Sequence, residues 1–360
     1  MTKGPSLELA STPFRPAHAA VEPRGLTRLT DTKSVLARYR LPGPHATVVL
    51  PIATPGRAGD DIEKRWHATR ADLVHLGADE AILQQLDTVV GGLPPSGHQA
   101  LVTANSDSAA YCWLLTAAGA MMHVGQVPSL VPALIEVDRR PRVVVAAVDR
   151  VGADIAIVDH AHLETNQSAD GERDGIHKSS GLGPDQARAQ RHSEVVWERN
   201  ATAVAGELSR LVRTRRAPVV VLSGDRRAVD LVADRVASPN VAVYTAQAGG
   251  RHEPDTSQRL LAAGIAAASS VQEASLHRDR GRLTEELGQH DLAVDGEVHT
   301  LQAIADHRAS MLFVDAETWS EHDHIGETIR AAQADGADIC VVSVPGLPDG
   351  VGALLRRPYD

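Results

Sequence analysis

Residues 141–159 read PRVVVAAVDRVGADIAIVD, and this stretch decides how the middle of the chain folds. Arg142–Val148 and Asp154–Val158 are rich in β-branched and small apolar residues, which predicts two strands. The five residues between them contain Gly152 and predict a hairpin turn. We therefore expect an antiparallel pair of strands to open a new domain at Pro141.

The residues that follow this hairpin alternate between helical and extended patterns. Residues 165–186 have no apolar periodicity and are rich in Gly, Ser, Asp and Lys, which predicts a long exposed loop. Helices that alternate with strands favour parallel pairing, so the sheet should be partly parallel. Beyond the loop the sequence predicts a helix over about Gln186–Arg213, a buried strand at Pro218–Leu222, a helix at Arg226–Val236, a strand at Val241–Thr245 and a long Ala-rich helix over about Pro254–Gly288.

The segments on either side also combine helices and strands. Residues 46–124 predict a strand, two helices and three further strands, which is an α+β arrangement. Residues 298–344 predict helix, strand, helix and strand in that order. The expected fold class is α/β, with domains at 1–140, 141–275 and 276–360.

Composition and charge narrow the function classes. The chain has 360 residues and only 3% aromatics, which argues against base-stacking platforms built on exposed Phe or Tyr. The formal net charge is −10, and residues 276–360, with 7 basic and 16 acidic side chains, contribute −9. The first 70 residues are net +5, with 11 basic and 6 acidic side chains. This asymmetry suggests different partners for different domains, although acidic surfaces also serve solubility alone.

The cysteines and the hydropathy pattern predict a cytoplasmic protein. Cys112 and Cys340 lie far apart in apolar runs, which predicts buried free thiols in a reducing compartment. No apolar run reaches about 18 residues, the length that a membrane-spanning helix needs. The N-terminal residues also lack the hydrophobic region of a signal peptide.

Signatures of common enzyme classes are missing from the sequence. There is no Walker A, G-x-G-x-x-G, G-x-S-x-G, H-E-x-x-H or C-x-x-C pattern. The pairs His160/His162 and His322/His324 could bind zinc, but neither has a clearly matched third and fourth ligand, so we expect no metal and no cofactor. Ser223-Gly224-Asp225 follows a buried strand and could hold an anion or simply cap the next helix. A metal- or nucleotide-dependent enzyme using these groups is the alternative from another class.

The most informative charge pattern lies in residues 173–216, which carry nine basic and five acidic side chains. A glycine-containing loop leads into a helix that bears Arg188, Arg191 and Arg199, followed by Arg210, Arg213, Arg215 and Arg216. Guanidinium groups donate bidentate hydrogen bonds to phosphate, so this pattern favours contact with an RNA backbone. The alternative is a solvated helix face in a chain where only four of 36 basic residues are lysine.

Residues 141–360 resemble the middle and C-terminal domains of the archaeal/eukaryotic release factor and Pelota family, particularly its bacterial members. The resemblance implies a release-factor-like middle domain and an L7Ae-like C-terminal α/β domain. It rests, in order, on the opening hairpin and on KSSGLGPDQARAQRHSEVVWERNATAVAGEL, PVVVLSGD, YTAQAGG and LAVDGEVHTLQAIADHRASMLFVDAETW.

One departure from the family pattern concerns catalysis. Family release factors carry Gly-Gly-Gln at the loop tip, where it coordinates hydrolysis of peptidyl-tRNA. This chain has Gly183-Pro184-Asp185 there, or Gly181-Leu182-Gly183 in a shifted match. Proline also lacks the backbone N–H donor, so we expect no catalytic residues. The N-terminal segment lacks the Asn-Ile-Lys-Ser motif with which the family reads stop codons.

Without both motifs, the chain is most similar to the Balon-type ribosome hibernation factors of this family. That similarity implies occupancy of the A site of the 70S ribosome, with elongation factor Tu as a candidate partner. Residues 177–186 of the loop would then reach towards the peptidyl-transferase centre, and the basic N-terminal segment would lie towards the decoding centre. Rescue of stalled ribosomes with peptide release is the alternative within the family. The residues expected to contact 23S and 16S rRNA are Lys178, Gly181, Gly183, Pro184, Gln186, Arg188, Arg191 and Arg199, together with Arg24, Arg28 and Lys33.

Overall fold

The computed structural model describes residues 26–52, 60–93, 99–114, 118–138, 142–159, 162–170, 184–289 and 291–358. The chain changes from one compact unit to another after Asp138 and changes back after Glu273. We call residues 139–273 the middle unit. The described residues before and after it pack together as a second unit, which we call the terminal unit.

The N-terminal part of the terminal unit is a five-stranded sheet with helices. Its strands lie in the order β1-β4-β3-β2-β5 and are antiparallel apart from the β1–β4 pair. Leu73 of α2 and Leu86 of α3 are fully buried against one face of the sheet. The elements are β1 (Thr27–Arg28), α1 (Thr32–Arg38), β2 (His45–Pro51), α2 (Asp60–His75), α3 (Glu80–Gly92), β3 (Gln99–Ala104), β4 (Ala109–Leu114), β5 (Met121–Gly125) and α4 (Val131–Asp138).

The middle unit is built around a mixed five-stranded sheet with the order β10-β9-β6-β7-β8. The hairpin that the sequence predicts is present, because β6 and β7 pair antiparallel. Strands β6, β9 and β10 are parallel, as the helix–strand alternation indicates. The elements are β6 (Val143–Val148), β7 (Gly152–Asp159), β8 (His162–Asp170), α5 (Pro184–Arg215), β9 (Val219–Gly224), α6 (Arg226–Val236), β10 (Ala242–Thr245) and α7 (Thr256–Gln289), whose first half lies in this unit.

Helices cover both faces of the middle sheet. On one face, Val204 and Leu208 of α5 and Val232 of α6 pack against Val144 and Leu222. On the other face, the first half of α7 contributes Leu260 and Ala268. Burial on both faces explains why β6 and the first four residues of β9 are continuous apolar runs.

The C-terminal part of the terminal unit is a four-stranded sheet with the order β11-β14-β12-β13. Leu283 of α7 is buried against one face of it. Ile304 of α8 and Ile329 of α9 belong to the core on the other face. The elements are β11 (Ala293–Asp295), α8 (Glu297–Ala305), β12 (Ala309–Asp315), α9 (Ile325–Asp335), β13 (Asp338–Val342) and β14 (Val351–Leu355).

The two parts of the terminal unit share one apolar core. Leu114 and Leu134 from the N-terminal part lie in the same buried cluster as Leu312 and Ile329 from the C-terminal part. The backbone of α9 approaches so closely that a Cβ at Gly326 would lie 2.7 Å from Cγ2 of Val127. The predicted α/β class is confirmed, whereas the division into three domains stays a prediction.

The prediction of a loop over residues 165–186 is wrong at both ends. Residues 165–170 belong to β8, and α5 already begins at Pro184, while residues 171–183 lie outside the described residues. Strand β8 pairs with β7 only, so it lies at an edge of the sheet. An edge strand pairs through its backbone with one neighbour and tolerates polar side chains. Strand β8 therefore lacks the alternation of apolar residues from which a strand would be predicted.

Two further expectations concern the cysteines and the membrane. Cys112 and Cys340 are free and buried, as predicted, and burial raises the pKa of each thiol to about 12. Within the described ranges, no helix has both the length and the apolar character needed to cross a bilayer.

Candidate nucleic-acid interface

The arginines of α5 lie along one side of the helix. At about 100° per residue, positions 188, 191, 199, 210 and 213 fall within an arc of about 100°. We call this set the arginine stripe. The acidic residues of α5 fall outside the arc, and the buried residues Ala201, Val204, Leu208 and Leu211 occupy the opposite side. The stripe therefore faces away from the sheet on which α5 packs.

Three members of the stripe have described side chains, and all three are exposed. These are Arg199, Arg210 and Arg213. Arg210 forms an exposed pair with Glu207 one turn earlier, with Nε 2.9 Å from Oε2. This hydrogen bond raises the pKa of Arg210, so the group stays cationic. Exposed pairs of this kind contribute little to stability, so a phosphate could compete for the guanidinium.

The predicted contact residues at the start of α5 are only partly described. Lys178, Gly181 and Gly183 lie outside the described residues. For Pro184, Gln186, Arg188 and Arg191 the structure gives the helix backbone alone. Pro184 is the first residue of α5, a position that suits proline because its N–H would have no helical partner.

The predicted contact residues of the N-terminal segment occupy different environments. Arg24 lies outside the described residues. Arg28 is half-buried in β1, whereas Lys33 is exposed on α1. Arg38, at the end of α1, is only 7% exposed, and its guanidinium donates to Oγ and to the carbonyl oxygen of Ser108 at 3.0 and 3.1 Å. Arg38 therefore stabilises the fold, whereas Lys33 is exposed and accessible to RNA.

The loop Ser223-Gly224-Asp225 ends β9 and begins α6. Asp225 caps α6 by accepting a hydrogen bond from the backbone N–H of Ala228 at 3.2 Å. Ser223 Oγ donates to the carbonyl oxygen of Gly249 and accepts from the N–H of Ala248. The side chains of this loop therefore already have partners within the protein, which favours the capping interpretation over an anion site.

A cavity of about 810 Å³ lies beside this loop at the carboxyl ends of β9 and β10. Its charged lining consists of Asp225, Asp230 and Glu253 against the single cation Arg226. Three carboxylates repel a phosphate more than one guanidinium attracts it. This charge balance disfavours a phosphate-bearing ligand in the cavity.

The structure describes the side chains of only one of the two histidine pairs, His322 and His324. His160 lies outside the described residues, and His162 is described only by its backbone in β8. The ring centroids of His322 and His324 are 5.5 Å apart, and Nδ1 of His324 lies 3.6 Å from a carboxylate oxygen of Glu297. Among the described residues, no three His, Cys, Asp or Glu side chains are arranged to hold a metal ion.

The helix predicted from the sequence also bears the exposed Arg210 and Arg213, but the predicted contact residues on this helix stop at Arg199. Both could have been predicted as contact residues, because the helical period of 3.6 residues places them on the same side as Arg199. Their side of α5 becomes evident once the helix is known to continue without interruption to Arg215.

Comparison with known proteins finds a family model that matches the middle of the chain. Residues 142–291 match the model of bacterial archaeo-eukaryotic release factor family 2. Over 336 residues the chain is 28% identical to the uncharacterized protein Rv2629 of Mycobacterium tuberculosis, covering 82% of this chain and 89% of the relative. The predicted resemblance to the release factor and Pelota family is confirmed, while the similarity to Balon-type factors stays a prediction.

Solved structures of the same broad group are also similar to the chain. Archaeoglobus fulgidus Pelota is 13% identical, with 93% of this chain and 94% of that chain covered and a TM-score of 0.36. Dom34 of S. cerevisiae is 10% identical, with 78% of each chain covered and a TM-score of 0.42. An archaeal Pelota in a ribosome-bound model is 13% identical, with coverage of 91% and 93% and a TM-score of 0.44.

Proposed function

Because residues 142–291 match the bacterial archaeo-eukaryotic release factors, we propose that this protein binds the 70S ribosome in its A site without hydrolysing peptidyl-tRNA. In this role it keeps idle ribosomes silent as a hibernation factor. Binding takes place in the cytoplasm, where ribosomes are found.

The arginine stripe is the observation that carries this proposal. From position 188 to position 213 it extends about 38 Å along α5, at about 1.5 Å per residue. A row of guanidinium groups of this length can follow the phosphates of an rRNA strand. The stripe lies opposite the buried face of α5, so RNA can approach without disturbing the core.

The missing Gly-Gly-Gln tripeptide supports occupancy without hydrolysis. The sequence contains Gly-Gly only at Gly91-Gly92 and Gly249-Gly250, which are followed by Leu93 and Arg251. Hydrolysis of an ester requires donors placed to stabilise the developing oxyanion and a water held in line. The residues 181–185 do not reproduce the family's tripeptide.

Charge supports a division of roles between the ends of the chain. The net charge of −9 over residues 276–360 disfavours contact with rRNA and suits a protein partner. We propose that this acidic segment faces a translational GTPase, with elongation factor Tu as the candidate. The basic N-terminal segment would then lie nearer the decoding centre.

Sedimentation with purified 70S ribosomes across a salt series tests binding through the stripe. Replacing Arg199, Arg210 and Arg213 together with glutamine should weaken binding and reduce the slope of log K against log salt by about 2 to 3. The matched control replaces the exposed Arg278, Arg282 and Arg357 with glutamine, which removes the same charge elsewhere. Equal slopes for the two triple variants would contradict phosphate contact through the stripe.

Peptide release from a loaded 70S complex tests the absence of hydrolysis. We expect wild-type protein to bind this complex and release no more peptide than buffer does. Release that disappears when residues 181–185 are replaced would instead show a rescue factor with a different hydrolytic centre.

A further inference from the structure

Trp197 of α5 lies between two guanidinium groups that come from different elements. Cζ of Arg150, in the β6–β7 turn, lies 4.5 Å from the centroid of the Trp197 ring. Cζ of Arg227, in the first turn of α6, lies 5.3 Å from it. Contacts of this kind between a cation and an indole face are attractive. The ring therefore links α5 to two other parts of the middle unit.

Each of the two arginines also forms an ion pair with a carboxylate. Nε of Arg150 lies 3.1 Å from Oδ2 of Asp225, the residue that caps α6. Nη2 of Arg227 lies 3.3 Å from Oε1 of Glu194, one turn before Trp197. Each cation thus has a carboxylate partner within the protein, so the cluster is close to neutral.

A side chain of α5 also bonds to the backbone of the β6–β7 turn. Nδ2 of Asn200, a residue only 3% exposed, donates to the carbonyl oxygen of Arg150 at 3.0 Å. Hydrogen bonds from buried amides are directional, so this contact fixes the distance between the helix and the turn. Trp197 and Asn200 together hold α5 to the β6–β7 turn.

The cluster lies on the side of α5 away from the arginine stripe. At about 100° per residue, position 197 falls about 160° from position 199, whereas the stripe spans about 100°. RNA bound along the stripe would therefore not contact the indole. The balanced charges of Arg150 and Arg227 agree with a structural role in place of direct phosphate binding.

We propose that Trp197 is a positioning residue that sets the direction of the first turns of α5, and thereby of the stripe positions 188 and 191. This inference rests on the proposed ribosome binding. From position 197 back to Pro184 the helix extends about 20 Å, so a tilt of about 10° at the cluster would displace its first residue by about 3.5 Å. Such a displacement exceeds what a hydrogen bond to phosphate tolerates.

The surroundings of the indole N–H indicate whether Trp197 holds α5 through a hydrogen bond or through its ring face. Nε1 is buried and has no hydrogen-bond partner among the residues that the structure describes. The ring acts through its face and its packing, so phenylalanine should preserve most of the effect while removing an unsatisfied buried donor. Alanine removes both the face and the packing.

Ribosome binding and hydrogen exchange of three variants test the proposal. We expect Trp197→Ala to bind 70S ribosomes about tenfold more weakly, with a salt slope reduced by up to about 2 because stripe positions 188 and 191 lose their phosphate contacts. Trp197→Phe should bind within about threefold of wild type. Val298→Ala, which truncates an exposed apolar side chain of α8 outside the stripe, should bind as wild type. In the free protein, amides of residues 188–196 should exchange faster in Trp197→Ala than in the other two variants.

Each possible result decides one point. Wild-type affinity for Trp197→Ala, or unchanged exchange of residues 188–196 in the free variant, would overturn the positioning role. If wild-type protein does not bind ribosomes at low salt, the proposed function fails, and the exchange of the free protein still decides whether Trp197 holds α5. If Trp197→Ala does not fold, Arg150→Met provides the same comparison by removing one cation, and unchanged exchange and affinity would then overturn the proposal.

Discussion

Replacement of Arg251 by methionine should destabilise the middle unit strongly. Nη2 of Arg251 lies 2.8 Å from Oδ1 of Asp154, and Nη1 lies 3.6 Å from Oδ1 of Asp149. The side chains of Arg251 and Asp154 are only 7% and 5% exposed. Ser168 Oγ donates to the same oxygen of Asp154 at 2.6 Å. Methionine would fill much of the volume of Arg251 but leave the carboxylate buried without its nearest cation.

The expected cost follows from that uncompensated charge. Removing one partner of a buried ion pair typically costs about 3–5 kcal/mol. One hydrogen bond from Ser168 remains, and a neutral donor offsets only about 1 kcal/mol. We therefore expect Arg251→Met to lower the unfolding free energy of the middle unit by about 3 kcal/mol.

Native-state hydrogen exchange of the β6, β7 and β9 amides measures this cost within the middle unit. The double variant Asp154→Asn/Arg251→Met provides the control, because it removes the buried charge together with its partner. It should recover at least about half of the loss. A single variant that costs less than about 1 kcal/mol, or a double variant as unstable as the single one, would refute the reasoning.

Two further predictions concern glycine and histidine positions. Gly224→Ala should cost about 2–3 kcal/mol or more, because Gly224 has φ +125° and an added Cβ would lie 2.0 Å from the carbonyl oxygen of Val148. Gly206→Ala, where nothing lies within 4 Å of the added Cβ in α5, should instead stabilise by about 0.5–1 kcal/mol, and thermal unfolding of both variants compares them. Burial, with the nearby cations Arg38 and Arg330, lowers the pKa of His45. Its neutral form therefore stabilises the fold above the unfolded pKa of about 6.5, and this contribution declines as the pH falls below that value. The difference in melting temperature between wild type and His45→Gln should therefore shrink from pH 7.5 to pH 5.5, and a constant difference would contradict this assignment.

Local patterns allowed the core of the middle unit to be predicted. The apolar runs of β6 and β9 are buried on both faces, so nearly every residue in them is apolar and indicates a buried strand. Short elements elsewhere were missed. Helix α4 is buried on most sides, with Val131, Leu134 and Val137 all inside, and therefore shows no amphipathic period. Strand β14 has only five residues and lies directly after a turn that contains Gly350.

Part of the candidate site can likewise be predicted from local sequence patterns, and part depends on contacts between distant segments. The arginine stripe follows from residue type and the helical period, both of which are present in the sequence. The contact of Trp197 with Arg150 and Arg227 joins three segments that are 47 and 30 residues apart along the chain. No local pattern predicts such a contact, because it depends on how the hairpin turn, α5 and α6 pack on one sheet.

The shared core of the terminal unit has a consequence for synthesis of the protein. Leu114 and Leu134 emerge from the ribosome before the middle unit, whereas Leu312 and Ile329, which bury them, emerge after it. Domains generally fold as units during translation, at about 5–20 residues per second. The middle unit can complete its sheet as soon as residue 273 is free, while the N-terminal sheet waits with one apolar face uncovered for roughly 10–40 seconds. Chaperones that bind nascent apolar surface should therefore engage this chain over that interval, and release it once α9 has been made.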